Sequence, residues 1–142
     1  LINNEGNICS LDAGIITRKT LSYSEHYFKN HGFNKLIRKC KMSNIKSISI
    51  WSDSLKKISA TNFYNYSRSV VYWSDKNILL KWINYFFKKK VYICGEYTKN
   101  TEVIKKIKGH QIILLKHTGH FAHLEKKVTI KRIILNELNK RK

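Results

Sequence analysis

Three cysteines, no proline, three alanines and nine acidic residues among 142 leave this chain short of most features that declare a function at sight. Cys9, Cys40 and Cys94 are odd in number and far apart, with no C-x-x-C pair. That pattern argues against a disulfide framework and offers no zinc-site spacing. No stretch reaches the roughly 18 apolar residues needed to cross a bilayer, so no membrane span is expected. A secretory signal is also missing from the sequence as it stands. With unpaired thiols, the cytoplasm is the default location.

What is abundant is positive charge. The formal net charge is +19 and the isoelectric point about 10.0, a balance that attracts nucleic acid, anionic lipid or acidic protein. Aromatic and basic residues interleave at Tyr85-Phe86-Phe87-Lys88-Lys89-Lys90. Yet the basic residues divide as 23 lysines and 5 arginines, beside 19 isoleucines, 13 asparagines and 8 tyrosines. This is the bias of A/T-rich codons spread over the whole chain, and it does not mark one patch. Readers of bases and phosphates favour the bidentate arginine fork, so no specific nucleic-acid partner is expected. Lysines 88–90 are read instead as cations closing a helix, where they complement its dipole.

Periodicity gives a mixed α/β outline. Helical patterns cover about residues 17–30, 60–73 and 75–88. Ser74 is the expected N-cap of the last, with Ile78, Leu79, Trp82, Ile83 and Phe86 as its apolar face. Short strands are expected at residues 1–4, 91–94 and 111–115. The last of these is a continuous apolar run of the kind that is buried on both faces. A final helix over about residues 127–139 places Ile130, Ile133, Ile134 and Leu138 on one side. Residues 24–58 carry no recognisable motif.

The most informative segment is Lys116-His117-Thr118-Gly119-His120-Phe121-Ala122-His123-Leu124-Glu125, set between the last strand and the last helix. It resembles the catalytic-histidine loop of the α/β-hydrolases, "G-H-F-x-x-x-E", whose histidine is the general base of a triad. Other blocks are similar to one bacterial branch of that family and follow in family order. Leu1-Ile2-Asn3-Asn4-Glu5-Gly6-Asn7, then Leu11 to Arg18, resembles its sixth strand and the entry to its cap. Ser67 to Asp75 is similar to "A-x-S-L-V-x-W-S", and Val91-Tyr92-Ile93-Cys94-Gly95-Glu96 resembles the seventh strand with its terminal Gly-Glu.

The resemblance implies the C-terminal part of an α/β-hydrolase fold with an incomplete parallel sheet. Residues 1–10 would be the end of strand 6 and the acid loop, residues 11–90 a helical cap, and residues 91–142 strands 7 and 8 with the terminal helix. His120 would be the general base. Its acid is implied to be Glu5, after the sixth strand, with Glu96 the alternative; the commoner acid position, G-x-x-D after the seventh strand, falls on Thr98. The substrate of the full-length protein would be a small ester, amide or similar molecule, and neither cofactor nor metal is implied. His110, His117 and His123 lie near His120, but no i, i+4 pair on a helix makes them a metal site.

The family's nucleophile sits in G-x-S-x-G, because two glycines let a strand bend sharply into a helix. None of the six glycines brackets a serine in that way. The chain is therefore expected to be inactive alone, as the rear part of a longer hydrolase or a remnant acting by binding. A basic nucleic-acid binder is the remaining alternative.

Overall fold

In the computed structural model, which describes residues 1–140, the chain is mostly helical and carries one three-stranded parallel sheet. The strands are β1 (Ile2–Asn4), β2 (Lys90–Gly95) and β3 (His110–Leu115), in that spatial order. Ile2 pairs with Val91, and Lys90 to Gly95 run in register with His110 to Leu115. Between β1 and β2 come α1 (Ile15–Leu21), α2 (Glu25–Tyr27), a π-helical turn (Phe28–Gly32), α3 (Phe33–Lys41), α4 (Lys46–Leu55), α5 (Ala60–Asp75) and α6 (Ile78–Phe86). A 3₁₀ turn (Glu96–Thr98) and α7 (Thr101–Lys106) link β2 to β3, and α8 (Ala122–Glu125) and α9 (Lys127–Asn139) follow.

Three apolar clusters hold these parts. One face of β2, through Tyr92 and Cys94, packs with Ile8, Cys9 and the α7 residues Val103 and Ile104, and α6 adds Leu80 and Ile83. The opposite face, through Val91 and Ile93, packs with Leu115, Ala122 and Ile130 of α9. The third cluster belongs to the helices between β1 and α6. Phe28, Phe33, Cys40, Leu55 and Phe63 form it, with Trp51 and Tyr64 against them. Within residues 11–90, α6 thus packs on the sheet, while α1, the π-helical turn and α3 to α5 share a core of their own.

Several local expectations change. Residues 17–30 are not one helix: α1 stops at Leu21, and Ser24 restarts the chain as an N-cap whose hydroxyl accepts from the Tyr27 N–H. Ser74 is no cap either. It is buried within α5, and the break comes at Asn77, whose φ of 52° is the left-handed conformation that asparagine tolerates better than most residues. On α6 the inward residues are Leu80 and Ile83, while Trp82 and Phe86 face outward. Lys90 does not end a helix; it opens β2, buried, with its Nζ donating to the Lys108 carbonyl at 2.6 Å.

The strand buried along its whole length is β2, the central one. On β3, an edge strand, Ile112 and Leu114 are exposed, because the helices covering that face stop at β2. On α9, Ile130 and Ile133 point to the sheet and Ile134 and Leu138 outward. No helix among the described residues is long and apolar enough to cross a membrane.

Candidate functional site

Parallel strands release their following loops on one edge of the sheet, the edge where open α/β sheets gather ligand sites. Here the three loops carry Glu5, residues 95–98, and residues 116–120. They are stitched to each other. The Tyr97 N–H donates to the Thr118 carbonyl at 3.1 Å, and the Glu5 N–H donates to the Ile93 carbonyl at 3.1 Å. Gly95 and Gly119 pack backbone to backbone: a β-carbon at position 95 would stand 2.6 Å from the Thr118 carbonyl oxygen. Only glycine allows that approach.

Within this frame the Glu5 carboxylate is enclosed, its side chain 4% exposed, and it faces the half-exposed imidazole of His120. Glu5 Oε2 lies 3.2 Å from His120 Nδ1. The distance suits a hydrogen bond, but the atoms are not aligned for one. Poor alignment of this kind is common at ligand-free sites. The other carboxylate oxygen is saturated. Glu5 Oε1 accepts from the Gly95 N–H at 3.2 Å and from the Thr98 hydroxyl at 2.8 Å. Glu5 itself has φ 46°, a left-handed conformation costly for a residue with a β-carbon and typical of functional sites. Among the described residues nothing bonds His120 Nε2, and the ring meets Phe121 edge-on with centroids 5.0 Å apart.

Glu96 is turned elsewhere. Its Oε2 accepts from the His117 N–H at 2.8 Å, with His117 Nδ1 at 3.7 Å. It clamps the turn at His117, another non-glycine residue at positive φ. The structure thus brings Glu5 to His120 and joins Glu96 to His117.

Other residues shape the histidine loop. Glu125 Oε1 accepts from the Gly119 N–H at 3.4 Å, and the Thr118 hydroxyl donates to the Leu115 carbonyl at 2.9 Å. Asn4 Nδ2 lies 3.2 Å from His123 Nδ1. Phe121 stacks on Trp51 of α4 at 5.2 Å, which seats the helical cluster against the loop. Of these, Thr98, Asn4 and Trp51 carried no sequence signal as site residues, since their relevance depends on contacts across 70 to 119 positions of chain. Thr98 stood out only as the wrong residue at the usual acid position.

Polar satisfaction marks the same place. Among the described residues three buried side-chain atoms lack a hydrogen-bond partner: Asn4 Oδ1, Glu5 Oε2 and Ser47 Oγ. All three belong to or border the loop, since Ser47 Oγ lies 3.9 Å from where a Gly119 β-carbon would be. Native proteins leave few buried polar atoms unpaired, and those they leave cluster at functional sites.

The charges nearby are silent ones. Burial pushes the Tyr92 phenol far above its ordinary range, and the Glu5 and Asp12 carboxylates add to this. Burial, then Glu5, raises the Cys94 thiol. Both stay protonated at neutral pH. No group of three or more metal-ligating side chains stands together among the described residues. Two shallow hollows, beside Trp82 and Lys108 and between Ile113 and Ile133, involve none of the site residues. Compared with known proteins, the chain matches no family model, no curated protein and no solved structure.

Proposed function

We propose that this chain is the acid- and histidine-bearing C-terminal part of an α/β-hydrolase, a serine-type hydrolase of small esters, amides or similar substrates. The observation that carries the reading is the buried Glu5 carboxylate 3.2 Å from Nδ1 of a half-exposed His120, at the edge where three parallel strands end. Glu5 would hold the imidazole in the Nδ1–H tautomer and stabilise the imidazolium. The free Nε2 would take the proton of a serine hydroxyl and return it to the leaving group. Glu96 would serve the loop and not the proton transfer. The helical cluster of α1 to α5, seated on the loop through Trp51, would be the cap over the substrate.

These 142 residues hold no G-x-S-x-G. The reading therefore assigns the nucleophile and its oxyanion donors to a further segment, without which the dyad has no hydroxyl to activate. Intact mass of the native polypeptide from its source is the first test. A mass well above 16.8 kDa, with a serine elbow in the added part and turnover abolished by His120→Ala, is the expected result. Near-normal turnover in that variant would overturn the assignment, as would a native polypeptide of the given mass that binds no partner and acts on no ester.

A further inference from the structure

We propose that Thr98 is a positioning residue: its hydroxyl occupies one oxygen of Glu5 and so reserves the other for His120. The proposal rests on the dyad reading above and assigns a role to a residue that the sequence offered only as an absent acid.

Carboxylates only accept hydrogen bonds, so the 2.8 Å contact between Thr98 Oγ1 and Glu5 Oε1 has threonine as donor. A glutamate's last torsion is broad and roughly two-fold, which leaves an unbound carboxylate free to rotate its oxygens. In this site Oε1 is held from two directions, by Thr98 and by the Gly95 N–H. Oε2 is then fixed in direction, and the polar atom it faces is His120 Nδ1. The Gly95 N–H alone, at 3.2 Å, is the longer and weaker of the two restraints. Thr98 also bridges distant parts of the chain, tying the residue after β1 to the turn after β2. Its side of that turn is exposed, so the residue is not there to fill a core.

The consequence is read in the imidazole's tautomer. A hydrogen bond to a charged group is strong enough to bias an equilibrium roughly tenfold, and losing it should release Glu5 from its aim. In the protein labelled with ¹⁵N-histidine, long-range proton–nitrogen correlation, recorded where the ring is neutral, separates the Nδ1–H from the Nε2–H form. The unsubstituted chain should hold His120 mainly as Nδ1–H. Thr98→Val, which keeps the shape and removes the donor, should lower the ratio of Nδ1–H to Nε2–H by about tenfold. Thr98→Ser, which restores the hydroxyl, should return it, and Glu5→Gln should abolish the preference. Thr98→Ala provides the same deletion should the valine disturb the turn, with amide dispersion reporting the fold. An unchanged tautomer in Thr98→Val and Thr98→Ala, while Glu5→Gln shifts it, overturns the role of Thr98 alone. An unchanged tautomer in Glu5→Gln overturns the dyad itself.

Discussion

Gly95 lies so close to Gly119 that a β-carbon added to the first would stand 2.8 Å from the carbonyl carbon of the second. Neither backbone can give way cheaply, because both belong to segments hydrogen-bonded across the sheet edge. Gly95→Ala should therefore push the loop of residues 117–120 away from β2. Chemical denaturation should show a loss of about 1–3 kcal/mol, the usual cost of overpacking. His120 should lose its preferred tautomer in the same variant. Full stability with an unaltered His120 would show that the close approach is not a constraint.

His117 offers the opposite experiment. It holds φ at 55°, its side chain is largely exposed, and its N–H is the atom that Glu96 clamps. Glycine keeps that N–H and adopts the conformation freely, so His117→Gly should stabilise the fold by about 1 kcal/mol, the strain of a left-handed non-glycine residue. Glycine's entropy in the unfolded chain will trim the gain. The His120 signals should not move. A destabilised protein would mean that the Tyr97 hydroxyl, 3.3 Å from His117 Nδ1, holds the turn more firmly than the backbone strains it.

Strand positions were legible from the sequence because apolar runs such as 91–94, between Lys90 and Gly95, and 111–115, between Gly109-His110 and Lys116, are bounded by turn-forming and polar residues. Which of them lies inside was not. Ile112 and Leu114 read the same as Tyr92 and Cys94 in a linear pattern, and only the neighbours on the sheet separate an edge from a centre. The helix breaks were hidden for a related reason. Ser74 looks like a cap by type, but the turn is made by Asn77, whose tolerance of positive φ needs no flanking signature. At the site, Glu5 and His120 could be named from motif resemblance. Their anchors could not: Thr98 and Glu5 lie 93 positions apart, and nothing in either segment encodes the pairing.

All three thiols are buried, and burial raises each above its ordinary value of 9.0. The thiolate is the reactive form. In the folded protein at pH 8, a disulfide reagent should therefore modify none of Cys9, Cys40 and Cys94 within the time that denatured chain gives three equivalents. The same shift carries a stability term. A folded-state pKa above the unfolded one keeps its contribution below pH 9.0 and loses it as pH rises towards the folded value. Stability should thus decline on the alkaline side of pH 9. Rapid native modification of Cys94 would show β2 open to solvent and would contradict the packing of α6 and α7 on it.

The helical cluster can be loosened without touching the sheet. Phe28 is buried against Phe33, Phe63 and Tyr64, with ring centroids at 5.9, 6.1 and 5.7 Å. Truncating such a residue to alanine costs about 3–5 kcal/mol where the site cannot collapse. None of its ring partners lies on a strand, so β2 should keep its hydrogen bonds to β3. The histidine loop is a different matter, because Trp51 stacks on Phe121 and meets Phe63 at a tilt. That pair is the aromatic path from the cluster to His120. In Phe28→Ala, native-state hydrogen exchange should speed at the amides of α3 to α5 and at residues 121–124. The amides of Tyr92 to Cys94 should stay protected. Uniform loss of protection would mean one cooperative unit. Protection kept at residues 121–124 would cut the proposed cap away from the site and leave Glu5 and His120 to hold the loop alone.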